Sequence, residues 1–183
     1  MPSTSRRRPA CPSSTLCRLL ERIAHVPELE GDELGGDDAA SDERRNIVND
    51  LAESVAHAFI RAINRQDVDA LAELMTPEHR FTNALENSVE GREKMRIGWE
   101  RYFRMVPDYT VAIEETYCDG PVVVMLGSAQ GTYSTDGKLK PENHWSIPIA
   151  LRAFIQEQKV AEWRVYCDNE PIRQRMAKSV QGG

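Results

Sequence analysis

Between His144 and Asn169 the chain runs HWSIPIALRAFIQEQKVAEWRVYCDN, and it alternates with a period of two on both sides of a short polar break. In the first run Trp145, Ile147, Ile149 and Leu151 fall on one side. His144, Ser146, Pro148, Ala150 and Arg152 fall on the other. In the second run Val160, Glu162, Arg164 and Tyr166 oppose Ala161, Trp163, Val165 and Cys167. Side chains of a strand point to opposite faces in turn, so both runs read as strands. Gln156-Glu157-Gln158 reads as the turn between them. A hairpin of this length is marginal unless other elements cover its apolar face. The preceding chain has to provide that cover.

Three helical segments precede it. Ser41 or Asp42 can cap a helix running to about Arg65, with Ile47, Val48, Leu51, Val55, Phe59, Ala62 and Ile63 at three- and four-residue steps. Asn64-Arg65-Gln66 breaks it, and Asp67 caps a short helix from Val68 to Met75, ended by Thr76-Pro77. A short strand is expected over His79–Ala84, then a loop over Leu85–Glu90. Gly91 introduces a third helix, Arg92–Val106, with Met95, Trp99, Tyr102, Phe103 and Val106 on one face, and Pro107 stops it. Strands then follow over Tyr109–Tyr117 and Val122–Tyr133, with turns at Asp119-Gly120-Pro121 and Asp136-Gly137. Pro148 places its strand at an edge or at a bulge, because proline has no N–H for the ladder. A terminal helix starts at Glu170-Pro171. Helices first and a long antiparallel meander last argue an α+β fold, with a curved sheet around three N-terminal helices.

Residues 1–42 read as a disordered acidic extension, and residues 43–180 as the folded domain. Glu28–Glu43 carries eight acidic residues and no basic one, a composition that favours disorder. A short helix over Thr15–His25 is an alternative within that extension. Arg6-Arg7-Arg8 is not followed by the apolar stretch a secretory signal needs. No apolar run approaches the ~20 residues of a membrane-spanning helix. The net charge of −6 disfavours nucleic acid as a partner. Cys11, Cys17, Cys118 and Cys167 have no CxxC spacing, and His25, His57, His79 and His144 are scattered. They read as free thiols in a reducing, cytoplasmic compartment, without a metal site.

Three segments carry a family resemblance: FIRAINRQDVDALAELMTPEHRF (Phe59–Phe81), VEGREKMRIGWERYFRMVPDY (Val89–Tyr109) and KVAEWRVYCDN (Lys159–Asn169). In this order they resemble the nuclear-transport-factor-like superfamily, which includes ketosteroid isomerases, limonene-type epoxide hydrolases and SnoaL-like polyketide cyclases. The resemblance covers about Ile47 to Ala177 and is closest to the SnoaL-like members. It implies a cone-shaped, cystatin-like α+β fold. It also implies an apolar pocket lined by the first and third helices and the concave sheet face, and frequent homodimers through the outer sheet face. One fold of this kind hosts many chemistries.

Carried over residue by residue, the isomerase general base falls on Asn83, which cannot take a proton at neutral pH. The oxyanion-stabilising tyrosine falls on Phe59, which has no hydroxyl, and the buried acid falls on Ala150. The epoxide hydrolase aspartate of the last strand falls on Val165, and Arg152 has no aspartate two residues away. SnoaL-like cyclases use a single aspartate from the sheet, a role Asp168 could fill with His144, Arg152 or Asn83 as polar partners. The other reading of Asp168 is a cap for the terminal helix. The candidate catalytic residues are therefore Asp168 and His144. The candidate substrate contacts are Asn83, Phe59, Trp99, Arg152, Trp163 and Tyr166. Trp99, Tyr102, Trp145 and Trp163 read as core or pocket wall. Taking Ala150 and His144 as inward-facing puts the stripe Trp145, Ile147, Ile149, Leu151 on the outer face, where a homodimer would bury it. Two functions fit: cofactor-free acid–base chemistry on a small hydrophobic or polycyclic molecule, or a non-catalytic binding or dimerisation module of the same fold.

Overall fold

The structure, a computed structural model, describes residues 38–181. The extension up to residue 37, with the Thr15–His25 helix, Cys11, Cys17 and His25, lies outside the described residues. Helix α1 is Asp38–Arg65, α2 is Val68–Leu74, α3 is Arg92–Met105 and α4 is Glu170–Gln181. Strands are β1 Met75–Thr82, β2 Ser88–Glu90, β3 Thr110–Asp119, β4 Val122–Thr132, β5 His144–Gln156 and β6 Lys159–Tyr166. They form one curled sheet in the order β2-β1-β6-β5-β4-β3. The fold is α+β, as expected. No helix among the described residues is long and apolar enough to cross a membrane.

Helix α1 begins at Asp38, ahead of the cap expected at Ser41 or Asp42. Its inner side, Ala52, Val55, Ala56, Phe59, Ile60, Ala62 and Ile63, is buried in the core. Small residues at positions 52, 56 and 62 let the helix lie close to the sheet. At its C-terminal end the Asn64 side chain ties it to β3 through both backbone groups of Val111. Asp67 accepts from the N–H of Ala70 and caps α2, as its sequence position implies.

Three local outcomes differ from the sequence reading. The chain passes from α2 straight into β1 at Met75, because the residue before Pro77 is pushed to extended backbone. Strand β2 lies inside the segment expected to be loop, paired antiparallel to β1. Strands β1 and β6 pair in parallel, so the sheet is mixed rather than wholly antiparallel. Pro148 sits in β5 opposite Ser128 of β4. The β6 ladder ends at Ala150↔Tyr166, so β5 is locally an edge at the proline, as its missing N–H requires.

The faces of β5 are the reverse of those expected. Trp145, Ile147, Ile149 and Leu151 are buried on the inner face, at 3–6% exposure, while His144, Ser146 and Pro148 are exposed. Alternation has two phases, and a shift of one residue exchanges every side chain between faces. Ala150 sets the phase in the sequence reading; it alternates with the stripe and falls on the other face of β5, where it is nonetheless buried at 6% exposure. The homodimer expectation drew on this stripe as an outer apolar face, and the stripe instead packs within its own chain. On β4, Gly131 stands opposite Trp145. A Cβ there would lie 2.3 Å from Val106 Cγ1, so the bare backbone is what lets the Val106 side chain, just past the end of α3, approach β4.

Candidate functional site

The inner faces of β5 and β6 form one wall of a cavity of about 380 Å³. Ile147, Ile149 and Leu151 of β5 and Val165 of β6 supply its aliphatic surface. Opposite them, α3 presents Met95, Gly98, Trp99 and Tyr102, one turn apart or nearly so on a single helix face. The exposed side chains of Val89 and Lys94 also border it and mark its mouth. Trp163 of β6 also lines it at 1% exposure, its ring centroid 4.7 Å from that of Phe59.

Four aromatic rings follow one another around the cavity. Ring centroids are 6.0 Å apart for Trp99 and Tyr102, 5.0 Å for Tyr102 and Tyr109, and 6.0 Å for Tyr109 and Trp145. The first two pairs meet edge to face, the geometry that ring quadrupoles favour. All four residues line the cavity. Burial holds the Tyr102 phenol well above the usual tyrosine range, and it raises the Tyr109 phenol likewise, with the neighbouring Cys167 adding to both. Both phenols are therefore protonated at neutral pH. Burial also raises the Cys167 thiol, helped by the charge of Asp168, and the thiol donates to Asn169 Oδ1 at 3.1 Å.

The sequence candidates divide between this cavity and other places. Asn83, Trp99 and Trp163 line it. Asn83 is engaged as a turn former, its Oδ1 accepting from Leu85 N at 2.9 Å and Asn87 N at 3.0 Å. Phe59 is fully buried behind Trp163 and is not among the lining residues. Arg152 turns to the opposite face and pairs with Glu162 at 3.0 Å. Tyr166 stacks under the Arg164 guanidinium, 5.1 Å from its centroid, also away from the lining.

The two catalytic candidates are separated from the cavity. Asp168 is exposed, and its Oδ1 accepts from Glu170 N at 2.9 Å, capping the start of α4. His144 is exposed at the outer start of β5, its Nδ1 3.3 Å from Thr132 Oγ1, whose hydroxyl donates to Asp108 Oδ2 at 2.7 Å. The phase of β5 explains His144, and the end of β6 at Tyr166 explains Asp168. No Asp, Glu or His lines the cavity among the described residues, and no group of three or more potential metal ligands occurs among them. Sequence reasoning missed Tyr109 and Lys94 as lining residues. Tyr109 follows the Pro107 stop of α3, a signal that it begins the next strand but not that it turns inward.

The SnoaL-like domain family model matches residues 56–166, from the middle of α1 to the end of β6. The chain belongs to the SnoaL-like domain family. Among solved structures it is similar to a SnoaL-like polyketide cyclase candidate from Shewanella denitrificans, at 18% identity and a TM-score of 0.61, over 70% of this chain and 98% of that one. It is similar to an LEH-like epoxide hydrolase of M. tuberculosis at 14% identity and a TM-score of 0.60, over 73% and 94%. It is also similar to a cystatin-fold protein from Novosphingobium aromaticivorans at 25% identity and a TM-score of 0.52, over 62% and 96%. No curated protein matches the sequence. At these identities the likeness to solved structures speaks for the fold and leaves the chemistry open.

Proposed function

We propose that this SnoaL-like domain binds a small hydrophobic molecule in the cavity, and that it does so as a binding module rather than by carboxylate or imidazole acid–base chemistry. One observation carries the reading: a cavity of about 380 Å³ walled by aliphatic and aromatic side chains, with no Asp, Glu or His among its described lining residues. Its size and apolar lining are those of ordinary small-molecule sites. A proton abstraction at neutral pH needs a base within hydrogen-bond reach of the substrate. Asp168 and His144 are engaged elsewhere, on α4 and on Thr132.

The test is a thermal-shift screen of the full chain against steroids, anthraquinones and monocyclic terpenoids. A ligand at about 100 times its dissociation constant adds roughly 2.7 kcal/mol to stability. A raised melting temperature with one class, with the ligand recovered unchanged by mass spectrometry, supports a binding module. Turnover of that ligand, lost in Asp168→Asn, would restore the acid–base reading. No shift with any class would remove the pocket from the account.

A further inference from the structure

The mouth of the cavity continues into an exposed face of α3. Lys94, Gly98, Arg101 and Met105 recur at i, i+4, i+7 and i+11, one row along the helix. The first two line the cavity. Ile97 and Arg104 stand in the adjoining row, and both are exposed. Large apolar side chains reach solvent along this face and the turn beside it: Leu85 at 59%, Ile97 at 46%, Met105 at 40% and Val89 at 37%. Leu85 belongs to the β1–β2 turn, next to Ala84, which lines the cavity as Val89 does. The charges here are sorted. The two acids of α3, Glu93 and Glu100, meet Arg92 and Arg96. Glu86 and Glu90, in the turn and in β2, meet Arg164 and Arg80. The side chains of Lys94, Arg101 and Arg104 have no ion-pair partner among the described residues. Single apolar groups thus stand among unpaired cations at the entrance to an apolar cavity, on a chain whose net charge is −6.

A stable protein interface buries an apolar centre depleted in charge. Interspersed apolar and cationic groups suit a fluid anionic surface instead. Cations meet lipid headgroups while apolar side chains enter the boundary beneath them. Charges more than about 10 Å away are screened at 0.1 M salt, so the acidity of the rest of the chain does not cancel the attraction at contact. We propose that this face of α3, with Leu85 and Val89, docks on an anionic phospholipid bilayer and turns the cavity mouth toward the membrane. A hydrophobic ligand dissolved in the bilayer then reaches the cavity without crossing water. Docking requires no ligand in the cavity, so it stands or falls apart from the binding reading above.

Flotation of the full chain with phosphatidylcholine vesicles, with and without about a third phosphatidylserine, tests this. The expected result is roughly tenfold stronger binding to the phosphatidylserine vesicles at low salt, lost at about 0.5 M salt. Arg101→Glu with Arg104→Glu should reduce that binding by more than about tenfold, and Ile97→Ser should weaken it severalfold. Arg44→Glu with Arg45→Glu makes the same change in net charge at exposed positions of α1 and should leave binding unchanged. Circular dichroism checks the fold of each variant. Equal binding to the two kinds of vesicle, or an equal loss in both arginine pairs, would overturn the inference. So would a folded chain that binds neither vesicle, which would give this face to an acidic protein partner and leave the binding reading untouched.

Discussion

Asn64 acts as a short length of β-strand for Val111: its Nδ2 donates to the Val111 carbonyl at 2.8 Å, and its Oδ1 accepts the Val111 N–H at 2.8 Å. The pair fixes the end of α1 against the first residues of β3, and Val111 is itself part of the cavity wall. Asn64→Ala leaves both backbone groups of a buried residue without partners. The expected cost is about 2 kcal/mol, because unmade buried hydrogen bonds cost more than made ones gain. Urea unfolding should show a lower midpoint with an unchanged slope. An unchanged midpoint would mean that water replaces the amide there.

His79 sets a pH dependence. Its side chain is fully buried, Nδ1–H donates to the Val160 carbonyl at 2.8 Å, and Nε2 has no partner among the described residues. Burial lowers its pKa below 6.5, outweighing the Val160 bond, which raises it. The unfolded chain therefore binds the proton first as pH falls. Stability should decline from about pH 6.5 down to the lowered folded value, and this contribution should be level above 6.5. Comparing unfolding at pH 7.5 and 5.5 in the native chain and in His79→Phe isolates the contribution. The native chain should lose more. An equal loss would contradict a neutral buried imidazole.

The β5–β6 hairpin turns at Glu157 (φ 51°) and Gln158 (φ 59°), two left-handed residues in succession. That is the backbone of a two-residue turn that Asn-Gly fits best. Side chains with a Cβ are disfavoured there by roughly 1–2 kcal/mol each. Glu157→Asn with Gln158→Gly should raise the melting temperature without touching the cavity. A lower melting temperature would show that Lys159 or its neighbours need the native turn.

Asp168 offers a direct contrast between capping and catalysis. Asp168→Ala removes the acceptor for Glu170 N and should cost about 1 kcal/mol of stability, the usual worth of a cap. Ligand affinity should stay within about twofold. A large loss of affinity at unchanged stability would bring Asp168 back to the site.

The order of the elements was legible from periodicity and breakers: the stripe of α1, the Asp67 cap, the Gly91 and Pro107 limits of α3, and the long hairpin. What periodicity cannot give is phase. The β5 stripe alternates equally well in either orientation, and it faces inward rather than outward. The parallel pairing of β1 with β6 joins segments about eighty positions apart, and no local pattern encodes it. Three-residue β2 is too short to alternate. For the same reason the cavity was half legible. Trp99 and Trp163 announce themselves as large rings on core faces, whereas Tyr109 and Lys94 depend on how α3, β3 and the mouth meet.

The chain contains three tryptophans, Trp99, Trp145 and Trp163, and all of them line the cavity. Intrinsic tryptophan emission is thus a report from the proposed site alone. Titrating the full chain with a ligand that raises its melting temperature should change that emission along a saturable single-site curve, with the same dissociation constant as calorimetry. Stabilisation or calorimetric binding with no change in tryptophan emission would place the ligand elsewhere and contradict the account.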